Sequence, residues 1–237
     1  MLRYGLVMPA AGAGRRFGSP KQYQPLMEGR SVLATALQPF LADPRCAAIA
    51  LVLAGDDPQR ATLAARLPAK VRIVDGGAER SHSVSNGLRA LLAAGADPAQ
   101  WILVHDAVRP CLSARDLESL LASAGDEPVG ALLAAPLADT LKQAPVGAAA
   151  PRAAATLDRS GLWRALTPQL FRLQPLLRAL EAAHAQQRSP TDDAQAMEWQ
   201  GLQARLVAAQ DANPKITTAE DLLIARAILA ARGTGDA

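Results

Sequence analysis

Five short apolar runs recur in the first 135 residues, and after each of the first four, across a connecting loop, comes a stretch with helical spacing of its apolar side chains. This alternation restricts the fold more than any other feature. The runs are 6–8, 49–53, 71–74, 101–104 and 130–135. Apart from 71–74, which Arg72 interrupts, they are continuous rather than alternating, as expected of strands buried on both faces. Helices are predicted over 31–41, 57–67, 81–92 and 116–124, with Pro39 interrupting the first. Such an order implies an α/β chain with a mostly parallel sheet covered by helices on both sides. Ligands of these sheets sit beyond the carboxyl ends of the strands.

The loop after the first strand is chemically specific. Pro9-Ala10-Ala11-Gly12-Ala13-Gly14-Arg15-Arg16-Phe17-Gly18-Ser19-Pro20-Lys21-Gln22 is a loop of small residues carrying three cations. Residues with little side chain let the backbone turn sharply and approach a ligand, and consecutive free amides make a concave anion site. Together with Arg15, Arg16 and Lys21 the loop suits a nucleoside triphosphate. The spacing matches neither a P-loop, which needs Gly-Lys-Ser/Thr, nor the G-x-G-x-x-G dinucleotide fingerprint. An ordinary glycine turn between strand and helix is the competing reading.

Two further strand ends carry candidate groups. Asp75-Gly76-Gly77-Ala78-Glu79-Arg80 with Ser83 offers backbone amides and one hydroxyl, enough to read the polar edge of a pyrimidine. The same residues are also consistent with a glycine turn and Ser81 as helix N-cap. Asp106 follows the apolar strand 101–104 and is the best placed carboxylate for a magnesium ion, which takes few protein ligands and completes its shell with phosphate and water. Asp211 is a candidate second carboxylate. His105 could orient its neighbour or simply be a satisfied core residue.

Beyond residue 135 the pattern weakens. Residues 136–159 are rich in Ala, Pro and Gly with short β-like pieces, which reads as an excursion. Order returns at 163–171, then helices over 175–186 and 192–200, a short strand at 206–207, and a closing helix at 219–231 with an acidic first turn; 232–237 reads as a frayed tail. The length, 237 residues, fits one large domain over 1–237. A net charge of +3 and no basic run argue against nucleic acid as partner. No apolar run is long enough to span a membrane, the N-terminus lacks the shape of a signal peptide, and two cysteines build no disulfide framework, so a reduced, cytoplasmic setting is expected.

The motifs as an ordered set resemble the 2-C-methyl-D-erythritol 4-phosphate cytidylyltransferase family of the non-mevalonate isoprenoid pathway. They are Pro9-Ala10-Ala11-Gly12-x-Gly14-x-Arg16, Pro20-Lys21-Gln22-Tyr23, Asp75-Gly76-Gly77-x-x-Arg80-x-x-Ser83, Val104-His105-Asp106-Ala107-x-Arg109-Pro110, Leu166-Thr167-Pro168-Gln169, Thr191-Asp192 and Lys215-Ile216-Thr217. The likeness runs from about residue 6 to 223. Two departures stand out: Ala78 occupies a position often acidic in relatives, and Val108 replaces a smaller residue.

The resemblance implies a Rossmann-like domain of the nucleotide-diphospho-sugar transferase type, with residues 136–159 as a β-arm that reaches a second subunit of a homodimer. It implies that Ala10, Ala11, Gly12, Gly14, Gly77, Ala78 and Ser83 hold the cytidine of CTP. Arg16, Lys21 and Lys215 would be the catalytic cations on the triphosphate. Asp106, Arg109, Thr140, Arg159 and Thr167 would face a sugar-alcohol phosphate, with Asp106 also toward Mg2+ or another divalent cation. The implied reaction is in-line attack of a phosphate oxygen on the α-phosphorus of CTP. A cytidylyltransferase for ribitol 5-phosphate is the near alternative. From other classes, a non-catalytic nucleotide-binding module and a nicotinamide oxidoreductase remain, the latter disfavoured by the missing fingerprint.

Overall fold

The computed structural model describes residues 2–12, 14, 17–27, 29–147 and 149–233. Its centre is β1 (Tyr4–Pro9), every residue of which is apolar or glycine except Tyr4. A 3-10 turn, Lys21–Tyr23, closes the glycine loop. A small hairpin comes next, β2 (Pro25–Met27) with β3 (Arg30–Ser31). Helix α1 (Val32–Ala42) starts at Ser31, whose hydroxyl accepts from the Ala34 amide, and it accommodates Pro39 in its last turn. Then come β4 (Cys46–Leu53), α2 (Arg60–Arg66), β5 (Val71–Asp75), α3 (Arg80–Ala93), β6 (Trp101–Val104), α4 (Ala114–Ala122) and β7 (Gly130–Pro136).

The second part of the chain adds β8 (Leu141–Gln143), β9 (Ala155–Leu157), β10 (Trp163–Arg172), α5 (Leu173–Ala185), α6 (Asp193–Glu198), β11 (Arg205–Ala208) and α7 (Ala219–Gly233). The main sheet has the order β11-β7-β10-β6-β1-β4-β5. All its pairings are parallel except those of β10, which runs antiparallel between β6 and β7. Chain order reverses at β1, with β4 and β5 on one side and β6 on the other, so the crevice beyond the β1 and β6 ends is the topological switch point.

Alternation along β1 supplies both cores. Tyr4, Leu6 and Met8 face α1 and α4 through Leu33, Leu37, Phe40, Leu117 and Leu120. Val7, with Ala50 and Val52, faces α3 and α5 through Val84, Leu88, Leu176 and Leu180. Each fully buried side chain of this size is worth about 1.5–3 kcal/mol. A smaller cluster, Leu26, Val32, Cys111, Ile216 and Leu222, pins the β2–β3 hairpin to the segment that carries α7.

Several boundaries differ from the sequence expectation. Helix α3 begins at Arg80 with Glu79 at its N-cap position, so Ser81 is inside the first turn and not a cap. Its hydroxyl meets the His184 Nε2 instead, at 3.0 Å. Helix α2 starts three residues later than expected because Asp57 closes a turn ahead of it, taking the Gln59 amide on Oδ1 and the Arg60 amide on its carbonyl. The tail is shorter than expected: Arg232 belongs to α7 and donates to the carbonyls of Cys111 and Ala212. The hairpin at 25–31 was not expected at all, since its strands are too short to show a period.

Within 136–159, β8 and β9 pair antiparallel as a separate two-stranded sheet, Leu141 opposite Leu157 and Lys142 opposite Thr156. Almost all of it is exposed.

Candidate active site

The loops after β1, β5 and β6 meet at the carboxyl edge of the sheet around a cleft of about 240 Å³. Its wall includes Ala10, Ala11, Gly12, Lys21, Gly77, Ala78, Ser83, Asp106 and Lys215, all expected from the sequence to face ligand. Gly14 acts differently. Its φ is +65°, and a Cβ there would lie 2.1 Å from the Ser19 carbonyl oxygen, so the loop folds onto itself at this point. Its carbonyl accepts from the Phe17 and Gly18 amides. Gly76 lets the first and second loops touch, because a Cβ on it would come within 2.5 Å of the Ala11 Cβ. Ser83 donates to the Glu79 carbonyl and accepts from the Gly77 amide, both at 3.1 Å, which fixes the curve of the second loop.

Asp106 is the electrostatic centre. Its Oδ1 accepts from Arg80 Nε at 2.9 Å and its Oδ2 from Lys215 Nζ at 2.8 Å. Arg109 Nε lies 3.9 Å from Oδ2, buried and without a hydrogen-bond partner among the described residues. Burial opposes ionisation of Asp106, but the Arg80 and Lys215 charges prevail and hold its carboxyl well below the usual carboxylate range. Arg80 in turn donates from Nη2 to Asp193 Oδ2 at 2.9 Å. Burial pushes the Asp193 carboxyl up, and Arg80 pulls it back. Three cations thus face two carboxylates, leaving the site with positive charge in excess for an anionic ligand.

His105 and Thr167 hold Asp106 from behind. The Asp106 amide donates to Thr167 Oγ1 at 3.1 Å. His105 Nε2 lies 3.0 Å from the Arg109 carbonyl, which can only accept, so Nε2 carries the proton. Nδ1 is then the acceptor for the Thr167 hydroxyl at 3.1 Å. Burial pushes the imidazole down to about 4, so it is neutral near neutrality. Thr167, expected at or beside substrate, is buried, and its hydroxyl is turned inward on these two partners. It reaches this place because β10 sets three residues, 166–168, where β7 has one, Leu133, so the strand bulges there.

A second groove adjoins the cleft. Arg109, Arg164, Asp211 and Lys215 line it, and Lys215 lines both. Arg109 is steadied by donating to the Asn213 carbonyl at 2.8 Å. Thr140 and Arg159 are exposed on the arm segment and line neither space. Arg16 lies outside the described residues. Among the described residues no group of three or more His, Cys, Asp or Glu side chains is gathered as a metal cage.

Three residues of this site carried no role in the sequence reading. Arg80 belongs to the Asp75-Gly76-Gly77 motif, but its two carboxylates lie 26 and 113 residues away. Asp193 gave no signal beyond a second acid next to Asp192. Gln22 stands beside Lys21, and its buried amide donates to the carbonyls of Ala10, at 3.0 Å, and Gly12, at 3.4 Å.

Known proteins resemble this chain over nearly its full length. The family model for 2-C-methyl-D-erythritol 4-phosphate cytidylyltransferase matches residues 5–231. A protein of that name from Acidithiobacillus ferrooxidans is 50% identical over 238 residues, covering 98% of both chains. One from Ectopseudomonas mendocina is 47% identical over 222 residues, 93% of both. Among solved structures, a 4-diphosphocytidyl-2C-methyl-D-erythritol synthase superposes with a TM-score of 0.82 at 35% identity, over 97% of this chain and all of that one. The Francisella tularensis cytidylyltransferase gives 0.81 at 29% identity, over 95% and 99%. With its glycine loop, its Asp106 ion cluster and its full-length likeness in one frame, the chain belongs to the 2-C-methyl-D-erythritol 4-phosphate cytidylyltransferase family.

Proposed function

We propose that the cleft binds CTP, that the adjoining groove takes 2-C-methyl-D-erythritol 4-phosphate, and that the enzyme joins them to 4-diphosphocytidyl-2-C-methyl-D-erythritol with release of pyrophosphate, in isoprenoid precursor synthesis. The observation that carries this reading is Lys215, which lines both spaces and so can touch both substrates at once.

A phosphate oxygen of the sugar-alcohol phosphate attacks the α-phosphorus of CTP. The bond from that phosphorus to the bridging oxygen breaks, and the electron pair leaves with pyrophosphate. A phosphate dianion is already nucleophilic, so no general base is required; His105 is unsuited to the task, with both ring nitrogens engaged. Catalysis is then positioning and charge neutralisation. Lys21 and Arg16 serve the triphosphate, and Lys215, held in advance by Asp106, meets the α-phosphate where charge develops. Preorganised contacts of this kind are each worth roughly 3–4 kcal/mol. The amides around Gly12 and Gly77, with Ala10, Ala11, Ala78 and Ser83, cradle cytidine, and Arg109 faces the second phosphate.

Magnesium fits as a companion of the triphosphate. The site offers it one carboxylate, Asp106, both oxygens of which are already shared with cations. A magnesium ion that keeps most of its shell as phosphate and water suits such a donor set, and an all-protein cage does not. When bound, it would neutralise charge on the departing pyrophosphate.

A homodimer is the proposed assembly. The arm and the residues that follow it leave Leu157, Leu162 and Trp163 exposed, and its small sheet has open edges that a partner would cover. Arg159 and Thr140, remote from their own cleft, would complete the other subunit's groove. Cys46 and Cys111 are buried free thiols, their pKa values raised by burial to about 12 and about 11, which supports a reducing cytoplasmic setting. No helix among the described residues is long and apolar enough to cross a membrane.

Pyrophosphate release with each of the four NTPs, against methylerythritol 4-phosphate and ribitol 5-phosphate, tests the reading. Turnover is expected with CTP and methylerythritol 4-phosphate. A higher kcat/KM with ribitol 5-phosphate would reassign the substrate, and CTP binding without turnover would leave only a nucleotide-binding module.

A further inference from the structure

Gln22 is only 4% exposed although it belongs to the cleft wall. It stands on the short 3-10 turn Lys21–Tyr23, which the glycine loop reaches after folding back at Gly14. From there its amide nitrogen donates to two carbonyls of the loop, Ala10 at 3.0 Å and Gly12 at 3.4 Å. A neutral side-chain amide carries two N–H donors on one nitrogen, so one residue can serve both.

A carbonyl and the N–H after it in a trans peptide point in opposite directions. Drawing the Ala10 carbonyl to Gln22 therefore turns the Ala11 N–H away from Gln22, and Ala11 itself lines the cleft. That N–H has no hydrogen-bond partner among the described residues. It is thus an oriented, unspent donor on a residue of the cleft wall. The Ala10 amide before it is held by the Val52 carbonyl at 2.8 Å, whereas beyond Ala11 nothing lies within 4 Å of where a Gly12 Cβ would be.

We infer that Gln22 is a positioning residue for nucleotidyl transfer: by holding the Ala10 and Gly12 carbonyls it aims the amides of the glycine loop at the nucleotide. It touches the backbone and not the reacting atoms. The inference rests on the proposed use of the cleft for CTP.

The chemistry of the donor supplies the test. Gln22→Met keeps the volume and removes both donors. Gln22→Glu keeps the shape, but an ionised carboxylate can only accept and faces two carbonyls. When protonated, the same group has one O–H and can restore one of the two bonds. Burial beside carbonyl dipoles lifts that introduced carboxyl above its ordinary value of about 4.3. Steady-state pyrophosphate release would be followed from pH 8 to 5.5 for the wild type and both variants, with folding checked by thermal melts.

Gln22→Met is expected to lower kcat/KM for CTP about 10- to 30-fold, the scale of two lost hydrogen bonds, with KM for the second substrate nearly unchanged. For Gln22→Glu, the ratio of its kcat/KM to the wild-type value should rise as the pH falls, while the Gln22→Met ratio stays flat. A flat ratio for Gln22→Glu, or a Gln22→Met enzyme with normal KM and kcat for CTP, would overturn the inference. A wild type that binds CTP and releases no pyrophosphate would instead overturn the proposed function.

Discussion

Acidification from pH 7.5 to 5 should weaken the fold through His105. In the folded protein its pKa is pushed down to about 4 by burial, against 6.5 for an ordinary histidine. Between those values the unfolded chain binds a proton that the folded one refuses. The stabilisation is therefore complete above about pH 6.5 and is lost as the pH falls toward 4. Integrating the two titrations gives a loss of about 2 kcal/mol by pH 5. The structural reason is specific: protonating Nδ1 would set its N–H against the Thr167 hydroxyl, which already donates to it, and the Arg109 carbonyl already holds the other nitrogen. Urea unfolding of the wild type and of His105→Gln at pH 7.5, 6.5 and 5 measures the effect. The other histidines are common to both proteins and cancel in the comparison. Asp106 does not interfere, because a carboxyl held below its usual range loses its contribution only at pH values under this window. The wild type should lose about 2 kcal/mol more than the variant over the range. Equal losses would show that His105 is not the buried neutral group described.

Asp106→Asn should lower kcat roughly 10- to 100-fold and flatten the magnesium dependence of the rate, since Arg80 and Lys215 lose the anion that positions them; an unchanged kcat and metal titration would remove Asp106 from the mechanism. Gly76→Ala should raise KM for CTP, because the added methyl group meets Ala11 at 2.5 Å and must part the two loops at a cost of about 1–3 kcal/mol; unchanged CTP kinetics would show that the loops yield freely. Lys215→Ala mixed with Arg159→Ala, under conditions that exchange subunits, should recover activity that neither variant has alone; verified exchange without recovery would mean that each chain builds its own site.

The parallel core was legible because strands buried on both faces leave continuous apolar runs, as in 49–53 and 101–104. Direction was not. The stretch 163–171 reads as ordered, but nothing in its composition says that it runs antiparallel between β6 and β7, since pairing depends on partners far along the chain. The cleft wall was legible where a residue type states its own purpose: small residues in the first loop, an acid past a strand end. It was illegible where purpose depends on a partner. Arg80 looks like any loop cation until Asp106 and Asp193 close around it, and Thr167 offers a hydroxyl whose inward turn comes from the β10 bulge. Gln22 was hidden because a glutamine beside a lysine suggests solvent, whereas the 3-10 turn buries it.

Lys215 lies 109 residues downstream of the carboxylate it pairs with, and the strand that leads to it, β11, can only join a sheet edge that β7 has already formed. During synthesis from the N-terminus, the glycine loop, the Gly77 turn and Asp106 are all made while this lysine is still untranslated. At roughly 5–20 residues per second the ribosome needs several seconds or more to cover that interval. Through it, the nascent chain holds the parts of a nucleotide pocket without the cation that joins the two substrate spaces. The small residues of the cleft wall are thus separated in time from the cation that joins the two spaces, which arrives only with the last tenth of the chain.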